Sequence, residues 1–464
     1  MRQAALAASL MLAFNLAFAD DASDAMEKRI DALQKEIDAL KEQVNQSSGS
    51  HRAESPNGSS EQTGSGQEGP DRTVAGKTED EEKSKSVSKV DDVLETYMKY
   101  ESAAENPAQG KTTFGGYGEI NYNNYKDGDE RDEFDLQRFI LFVGHRFSER
   151  TRLYSEIEFE HAFVEGGEDS GEVALEQAYI EHRLTDTGNA NLRAGLFLLP
   201  IGFMNENHEP PVFYGVERNE VESRIIPTTW REIGFALQGN VANGFEYNAG
   251  ISTTPDASLY DNASTGFRSM RTSGSQVTAN EFGYFAALNY RGVLGLLLGG
   301  SVWTGNTAQD GQGKGPDPIP LEGANANLTI WELHARYAVG GWDLRALYTQ
   351  AHIDDTTAIN AAAGIAPGSD NAAPESLYGW YVEAAHIFSL RNDMSLAPFV
   401  RYAKYDTQKE VAAGYAINPL NNEQVTTIGL NFYVHPQVVL KVDVQDYDTD
   451  DTKDRFDFGI GWMF

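Results

Sequence analysis

The chain has 464 residues, with 37 Lys and Arg against 70 Asp and Glu, for a formal net charge of −33 at pH 7. A surface this acidic repels phosphodiester backbones and excludes nucleic acid as a partner. The absence of cysteine excludes disulfides, thiolate nucleophiles, Cys-ligated metals and a lipid-anchored N-terminus.

The chain opens with Met1-Arg2, then an apolar run from Ala4 to Ala19 broken only by Ser9 and Asn15. Ala17-Phe18-Ala19 places small residues at the two cleavage-reading positions before Asp20-Asp21. This is the pattern of a secretory signal peptide over 1–19, with cleavage expected between Ala19 and Asp20. Met26, Ile30, Leu33, Ile37, Leu40 and Val44 then recur at heptad spacing between charged residues, so 20–46 is expected to form a short coiled coil. The alternative is an amphipathic helix packed on its own chain. Residues 47–110 are mostly Ser, Gly, Glu, Gln and Lys and are expected to be a flexible linker. Near its end, Val93, Leu94, Tyr97, Met98 and Tyr100 suit a short helix that leads into the strands that follow or plugs the mouth they form.

From Thr112 the period changes to that of strands. Sixteen are expected: Thr113–Tyr125, Phe134–Phe147, Thr151–Phe163, Val173–Leu184, Asn191–Pro200, Trp230–Val241, Phe245–Ser252, Glu281–Arg291, Gly295–Thr304, Leu328–Val339, Trp342–Ile353, Leu377–Phe388, Ser395–Tyr405, Gln424–His435, Val438–Tyr447 and Asp454–Phe464. Tight connections such as Val339-Gly-Gly-Trp342 alternate with long ones rich in Gly, Asn, Asp and Pro, such as 305–326 and 354–376. The last strand states the rule most clearly. Phe456, Phe458, Ile460, Trp462 and Phe464 share one face; Arg455, Asp457, Gly459, Gly461 and Met463 share the other. An apolar face outside, a polar face inside and an even strand number are the signature of a transmembrane antiparallel β-barrel with short periplasmic turns and long external loops. The fold class expected is therefore all-β, a barrel of about 16 strands over 111–464, preceded by a short coiled coil. No stretch reaches the length of a transmembrane helix after the signal. The terminal Phe464 suits the signal read by the barrel-insertion machinery of Gram-negative bacteria, which places the protein in the outer membrane, in contact with lipid and lipopolysaccharide.

The same parity sorts charges to the lumen. On strand three, Leu153, Ile157 and Phe159 are assigned to lipid, and Arg152, Tyr154, Glu156, Glu158 and Glu160 to water. On strand five, Leu192, Ala194, Leu196 and Leu198 face lipid and Arg193 faces in. Strands ten, eleven and fifteen add Glu332, His334, Arg336, Asp343, Arg345, Lys441, Asp443 and Gln445. Both signs are present, so facing columns of Arg and carboxylate are expected to set a transverse field, and no uninterrupted basic ladder is visible. Acidic clusters at 127–133, 165–169 and 446–451 suit solvated loops or divalent cations bridging to lipopolysaccharide phosphates.

Gly110-Lys111-Thr112 lacks the earlier glycine of a phosphate loop, since that position is Glu105. Neither His-Glu-x-x-His nor Gly-x-Ser-x-Gly occurs. No enzyme activity, catalytic residue, metal set or cofactor is expected.

Three stretches carry a family resemblance: Thr113-Phe-Gly-Gly-Tyr-Gly-Glu119, Leu192-Arg-Ala-Gly-Leu-Phe-Leu-Leu-Pro-Ile-Gly202 and Ile226-Pro-Thr-Thr-Trp-Arg-Glu-Ile-Gly-Phe-Ala-Leu-Gln-Gly239. With the order of signal, coiled coil, linker and barrel, the chain resembles the phosphate-selective porin O and P family over 111–464. The resemblance implies a homotrimeric channel for passive diffusion of small hydrophilic solutes or ions, with anions such as phosphate as candidates. It also implies that the loop from Phe203 to Thr229, after strand five, folds inward and narrows the pore. The residues expected at the constriction or to set selectivity are Arg193, Arg218, Arg224, Arg231, Glu156, Glu158, Arg336, Arg345 and Lys441. A second hypothesis is a structural outer-membrane protein tethering the envelope through its coiled coil. A barrel enzyme is a third.

Overall fold

The computed structural model describes residues 110–126, 132–162, 171–309, 321 and 323–464. The expected signal peptide, coiled coil, linker and the helix near Tyr97 lie outside the described residues.

Within them the chain is a closed antiparallel meander. The staves are β1 (Thr112–Tyr125), β2 (Glu133–Arg146), β3 (Thr151–Glu160), β4 (Val173–Arg183), β5 (Asn191–Leu198), β6 (Arg231–Val241), β7 (Phe245–Ser252) and β8 (Gly283–Tyr290). Next come β9 (Leu296–Asn306), β10 (Asn327–Val339), β11 (Trp342–Ile353), β12 (Pro374–His386), β13 (Ser395–Val411), β14 (Asn422–His435), β15 (Val438–Tyr447) and β16 (Arg455–Met463). A two-residue segment, Phe388–Ser389, continues β12 along β13. Each stave pairs with the next, and β1 closes on β16 in a register running from Tyr117↔Met463 to Tyr125↔Arg455. Closure satisfies every ladder and leaves no open edge, which a strand sheet needs in lipid.

All sixteen expected strands are present, with ends displaced by a few residues. The largest difference is β13, which runs to Val411 instead of Tyr405. Alternation is the reason the sequence folds this way. On β16, Phe456, Phe458 and Phe464 are exposed outward, while Asp457, Gly459, Gly461 and Met463 are buried inward. On β15, Lys441, Asp443 and Gln445 are buried inward between Val438, Val442 and the exposed Val444. The outer surface carries large apolar side chains around the wall, among them Phe235, Leu288, Leu333, Val400 and Ile428. Exposed aromatics gather at both strand ends: Phe147, Phe245, Trp342, Phe388 and Phe464 at the end with short turns, and Phe134 and Tyr284 at the other.

One outward assignment is overturned. Leu198 is 1% exposed, because the loop after β7 folds over this end of β5 and β6. A β-carbon on Gly274 of that loop would stand 2.7 Å from Leu196 Cδ1 and 3.4 Å from Ile233 Cγ1. β4 also departs from simple parity. A bulge opposite Glu156 and Ile157 leaves Glu176 outside the ladder, and both Glu176 and Gln177 are buried.

The apolar core sits inside the barrel. It forms where residues 199–230 and part of 253–282 meet the wall, and it includes Tyr117, Phe197, Leu199, Ile201, Ile225, Ile226, Trp230, Met270 and Trp303.

Candidate constriction inside the barrel

The connection from β5 to β6 does fold inward. Its root is closed by Asn205, whose amide donates to the carbonyls of Leu199 (2.7 Å) and Trp230 (2.9 Å) and accepts from Trp230 N–H at 2.6 Å. The two ends of the loop are thus tied by one side chain. Further along the loop lies a single helical turn, α1 (Glu220–Arg224), capped by Asn219. Glu222 on this turn is fully buried. It accepts from the N–H groups of Phe203 (2.8 Å) and Met204 (2.7 Å), from Asn219 Nδ2 (3.3 Å), and from Tyr381 Oη on β12 (2.7 Å).

The middle of the loop crosses to the far wall and bonds there through its own backbone. Asn431 Nδ2 donates to Phe213 O, Asp443 accepts from Val216 N–H, Arg401 donates to Tyr214 O, and Tyr433 Oη donates to Pro211 O. The wall is shaped to receive it. Two inward positions on β16, Gly459 and Gly461, are glycines, and a β-carbon at Gly461 would stand 2.2 Å from Pro210 Cβ. The small residues seen on the polar face of the last strand are therefore the seat of the loop.

These contacts sort the expected site residues into two groups. Arg218 and Arg224 line a cavity of about 290 Å³ between the loop, the β1–β2–β16 wall and the loop after β7. Its other charged lining residues are Glu119, Arg138, Glu217, Glu220, Arg268 and Arg455. Five guanidiniums thus face three carboxylates. Arg138 is compensated by Glu119 (2.7 Å) and Glu158 (3.3 Å), and Arg455 by Asp457 (2.8 Å). Arg224 pairs with Glu220 one turn away. Glu217 accepts from Asn121 and Asn123, both at 3.1 Å. Among the described residues, Arg218 and Arg268 have no carboxylate within ion-pairing distance, and Arg218 Nε and Nη2 are buried without a hydrogen-bond partner. Arg268 donates to the Thr228 carbonyl. Burial pulls its guanidinium down to about 10, and the neighbouring Arg218 and Arg138 pull the same way. Burial acts to raise the Glu220 carboxyl, but Arg224, Arg455 and the hydrogen bonds from Tyr447 and Arg224 outweigh it and hold it at about 2.

The remaining expected residues do not line this cavity. Arg336 and Arg345 both bind Asp343, at 2.8 Å each, and Glu383 joins Arg345 (3.7 Å) to Arg401 (3.0 Å). Tyr214 of the loop docks on this chain of charges, its Oη donating to Asp343 at 3.0 Å while Arg345 lies 4.9 Å over its ring. The expected columns of opposite charge are thus closed into ion pairs beneath the loop, where they hold it. Lys441 is buried with Nζ 3.4 Å from the centre of the Phe213 ring. Arg193 stacks on Tyr179 (4.4 Å) between Glu181 and Glu206. Arg231 is buried at the base of the loop. Glu158 reaches Arg138, and Glu156 accepts from Gln177 at 2.7 Å.

Parity missed Arg138, Arg268 and Arg455 as cavity residues. β2 is apolar on both faces, with Ile140 and Phe142 buried inward, so its inward arginine does not stand out. Arg268 lies in an aperiodic loop. Only Arg455 was readable, from the polar face of the last strand. Of the acidic loop residues, Asp450 pairs with Lys453 (3.0 Å) and Asp454 with Lys126 (3.0 Å).

A protein of Aquifex aeolicus (strain VF5), described only as uncharacterized, is 32% identical over 361 residues, covering 76% of this chain and 80% of that protein. The chain belongs to the same family as that protein. No family model matches it. Among solved structures, this family member is similar to OmpF of Salmonella typhi in complex with daunomycin, at 13% identity and TM-score 0.48, covering 76% of this chain and 98% of that one. It is similar to the trimer form of OmpT of Vibrio cholerae at 12% identity and TM-score 0.47, covering 77% and 99%. It is likewise similar to an anion-selective porin of Comamonas acidovorans at 14% identity and TM-score 0.46, covering 76% and 99%.

Proposed function

We propose that the protein is an outer-membrane channel for passive diffusion of small hydrophilic solutes, with a preference for anions. Placement in a membrane is supported by the closed ladder, the apolar outer wall and the exposed aromatics at both strand ends. The observation that carries the preference is the cavity under the inserted loop, where the guanidiniums of Arg218 and Arg268 have no described carboxylate within ion-pairing distance. Charge at a narrow, weakly screened place controls selectivity more than charge at a wide mouth. The acidic loops and the net charge of −33 favour cations in the approach, but water and salt screen them there.

Phosphate is the solute we propose to test first, because a compact oxyanion matches unpaired guanidiniums. The homotrimer, the contacts with lipopolysaccharide and the insertion machinery, and the cleaved signal peptide belong to the same proposal.

Planar-bilayer recording of the purified protein under a KCl gradient tests it. A reversal potential on the chloride side, with conductance reduced by added phosphate, is the expected result. A cation-side potential would reject the anion preference. Absence of conductance would favour the second reading, an envelope tether acting through the N-terminal heptads.

A further inference from the structure

On the wall opposite the Asp343 chain of charges, three side chains converge away from the Arg218 and Arg268 cavity. Glu156 on β3, Glu176 on the β4 bulge and His208 in the inserted loop each offer a ligand atom, and these atoms all lie within 4.8 Å of one another. We propose that they bind one divalent transition-metal cation of the zinc type, fastening the inserted loop to the barrel wall.

Burial comes first. Glu156 is 2% exposed, Glu176 0% and His208 2%. Neither carboxylate oxygen of Glu176 and neither ring nitrogen of His208 has a hydrogen-bond partner. Burying such groups without short hydrogen bonds is costly, and more so for a carboxylate than for a neutral group; the long contacts to His208 and the nearby Arg231 offset only part of that cost. A cation placed among them satisfies all three at once.

The spacing agrees. His208 Nε2 lies 3.6 Å from Glu176 Oε2 and 3.9 Å from Glu156 Oε1. Both separations are too long for a hydrogen bond. Two ligands of a tetrahedral ion with bonds of about 2.0–2.2 Å stand about 3.3–3.6 Å apart, so the His208–Glu176 pair already fits and the other separations, all within 4.8 Å, close by contraction around the ion. One imidazole nitrogen with two carboxylates suits zinc and its neighbours better than calcium or magnesium, which take oxygen ligands. The fourth position is left for water.

The local structure explains how the ligands meet. The β4 bulge puts Glu176 and Gln177 both on the buried side. Gln177 holds Glu156 at 2.7 Å, leaving its Oε1 toward the histidine. The His208 ring packs edge-on against Tyr117 at 5.9 Å. Because one ligand comes from the loop and two from the wall, the ion would stabilise the inserted position of the loop.

The full chain, purified in detergent and stripped with chelator, is titrated with Co²⁺ and followed by visible absorption, then challenged with Zn²⁺. One cobalt per chain with the intense spectrum of a four-coordinate ion, displaced by one equivalent of zinc, is expected, together with a higher melting temperature of the zinc form. Glu176→Gln keeps the shape of the side chain and is expected to abolish the spectrum while the β-sheet circular dichroism remains. A wild-type barrel that gives only the pale six-coordinate spectrum and retains no zinc overturns the proposal. So does a folded Glu176→Gln variant that binds as well as wild type, since the metal would then sit on acidic surface loops. Should that variant not fold, His208→Gln serves in its place, and the wild-type titration decides independently of both.

Discussion

Pro210 of the inserted loop rests on the bare backbone of Gly461, where a β-carbon would stand 2.2 Å from Pro210 Cβ. Gly461→Val is therefore expected to push the loop off the wall. Overpacking of this kind costs about 1–3 kcal/mol, and the displaced loop should widen the passage. We expect a lower melting temperature and a single-channel conductance raised roughly twofold. Conductance and stability equal to wild type would mean that the loop is not held by this contact.

Arg218 and Arg268 are the cavity cations without a described carboxylate partner. Replacing both with Gln should lower the anion-to-cation permeability ratio roughly tenfold at low salt. The difference should shrink from 0.1 M to 1 M KCl as the Debye length falls from about 10 Å to about 3 Å. Arg336→Gln, at the Asp343 chain of charges, should leave the ratio unchanged. Reversal potentials across a salt series check both statements.

Glu222 gathers four donors from three parts of the structure. Glu222→Ala leaves those donors buried and unsatisfied, at about 1–3 kcal/mol for each such group. The melting temperature should fall by many degrees and the open-channel current should become noisy. Glu222→Gln, which keeps an acceptor oxygen, should fall between wild type and Ala.

Glu220 titrates below the ordinary 4.5, at about 2. Its stabilising share is therefore complete above pH about 4.5 and is lost as pH falls toward about 2. Conductance noise measured from pH 7 downward should stay flat to about pH 4.5 and rise below it, and Glu220→Gln should remove that step.

Asp343 neutralises Arg336 and Arg345 and accepts from Tyr214. Asp343→Asn leaves two guanidiniums short of a buried partner, a change that typically costs about 3–5 kcal/mol. Thermal unfolding in detergent should show a loss of that order. A shift near zero would mean that water already screens these charges.

The barrel was legible because lipid and water impose a two-residue period that any strand must display. β7, β11 and β15 have the bounds expected from sequence, and the glycines of the last strand mark its inward face. The inward course of residues 203–229 was legible only through a family resemblance and the length of the loop. What the sequence could not decide was pairing among inward charges. Arg345 and Arg218 look alike as residue types, yet one is locked to Asp343 and the other is left without a described carboxylate. Nor could spacing bring Glu156, Glu176 and His208 together, since a bulge and an inserted loop do it. Parity is a local property written in neighbouring residues. Charge compensation depends on which staves the closed ladder and the inserted loop bring within a few ångströms, and only the tertiary structure sets that.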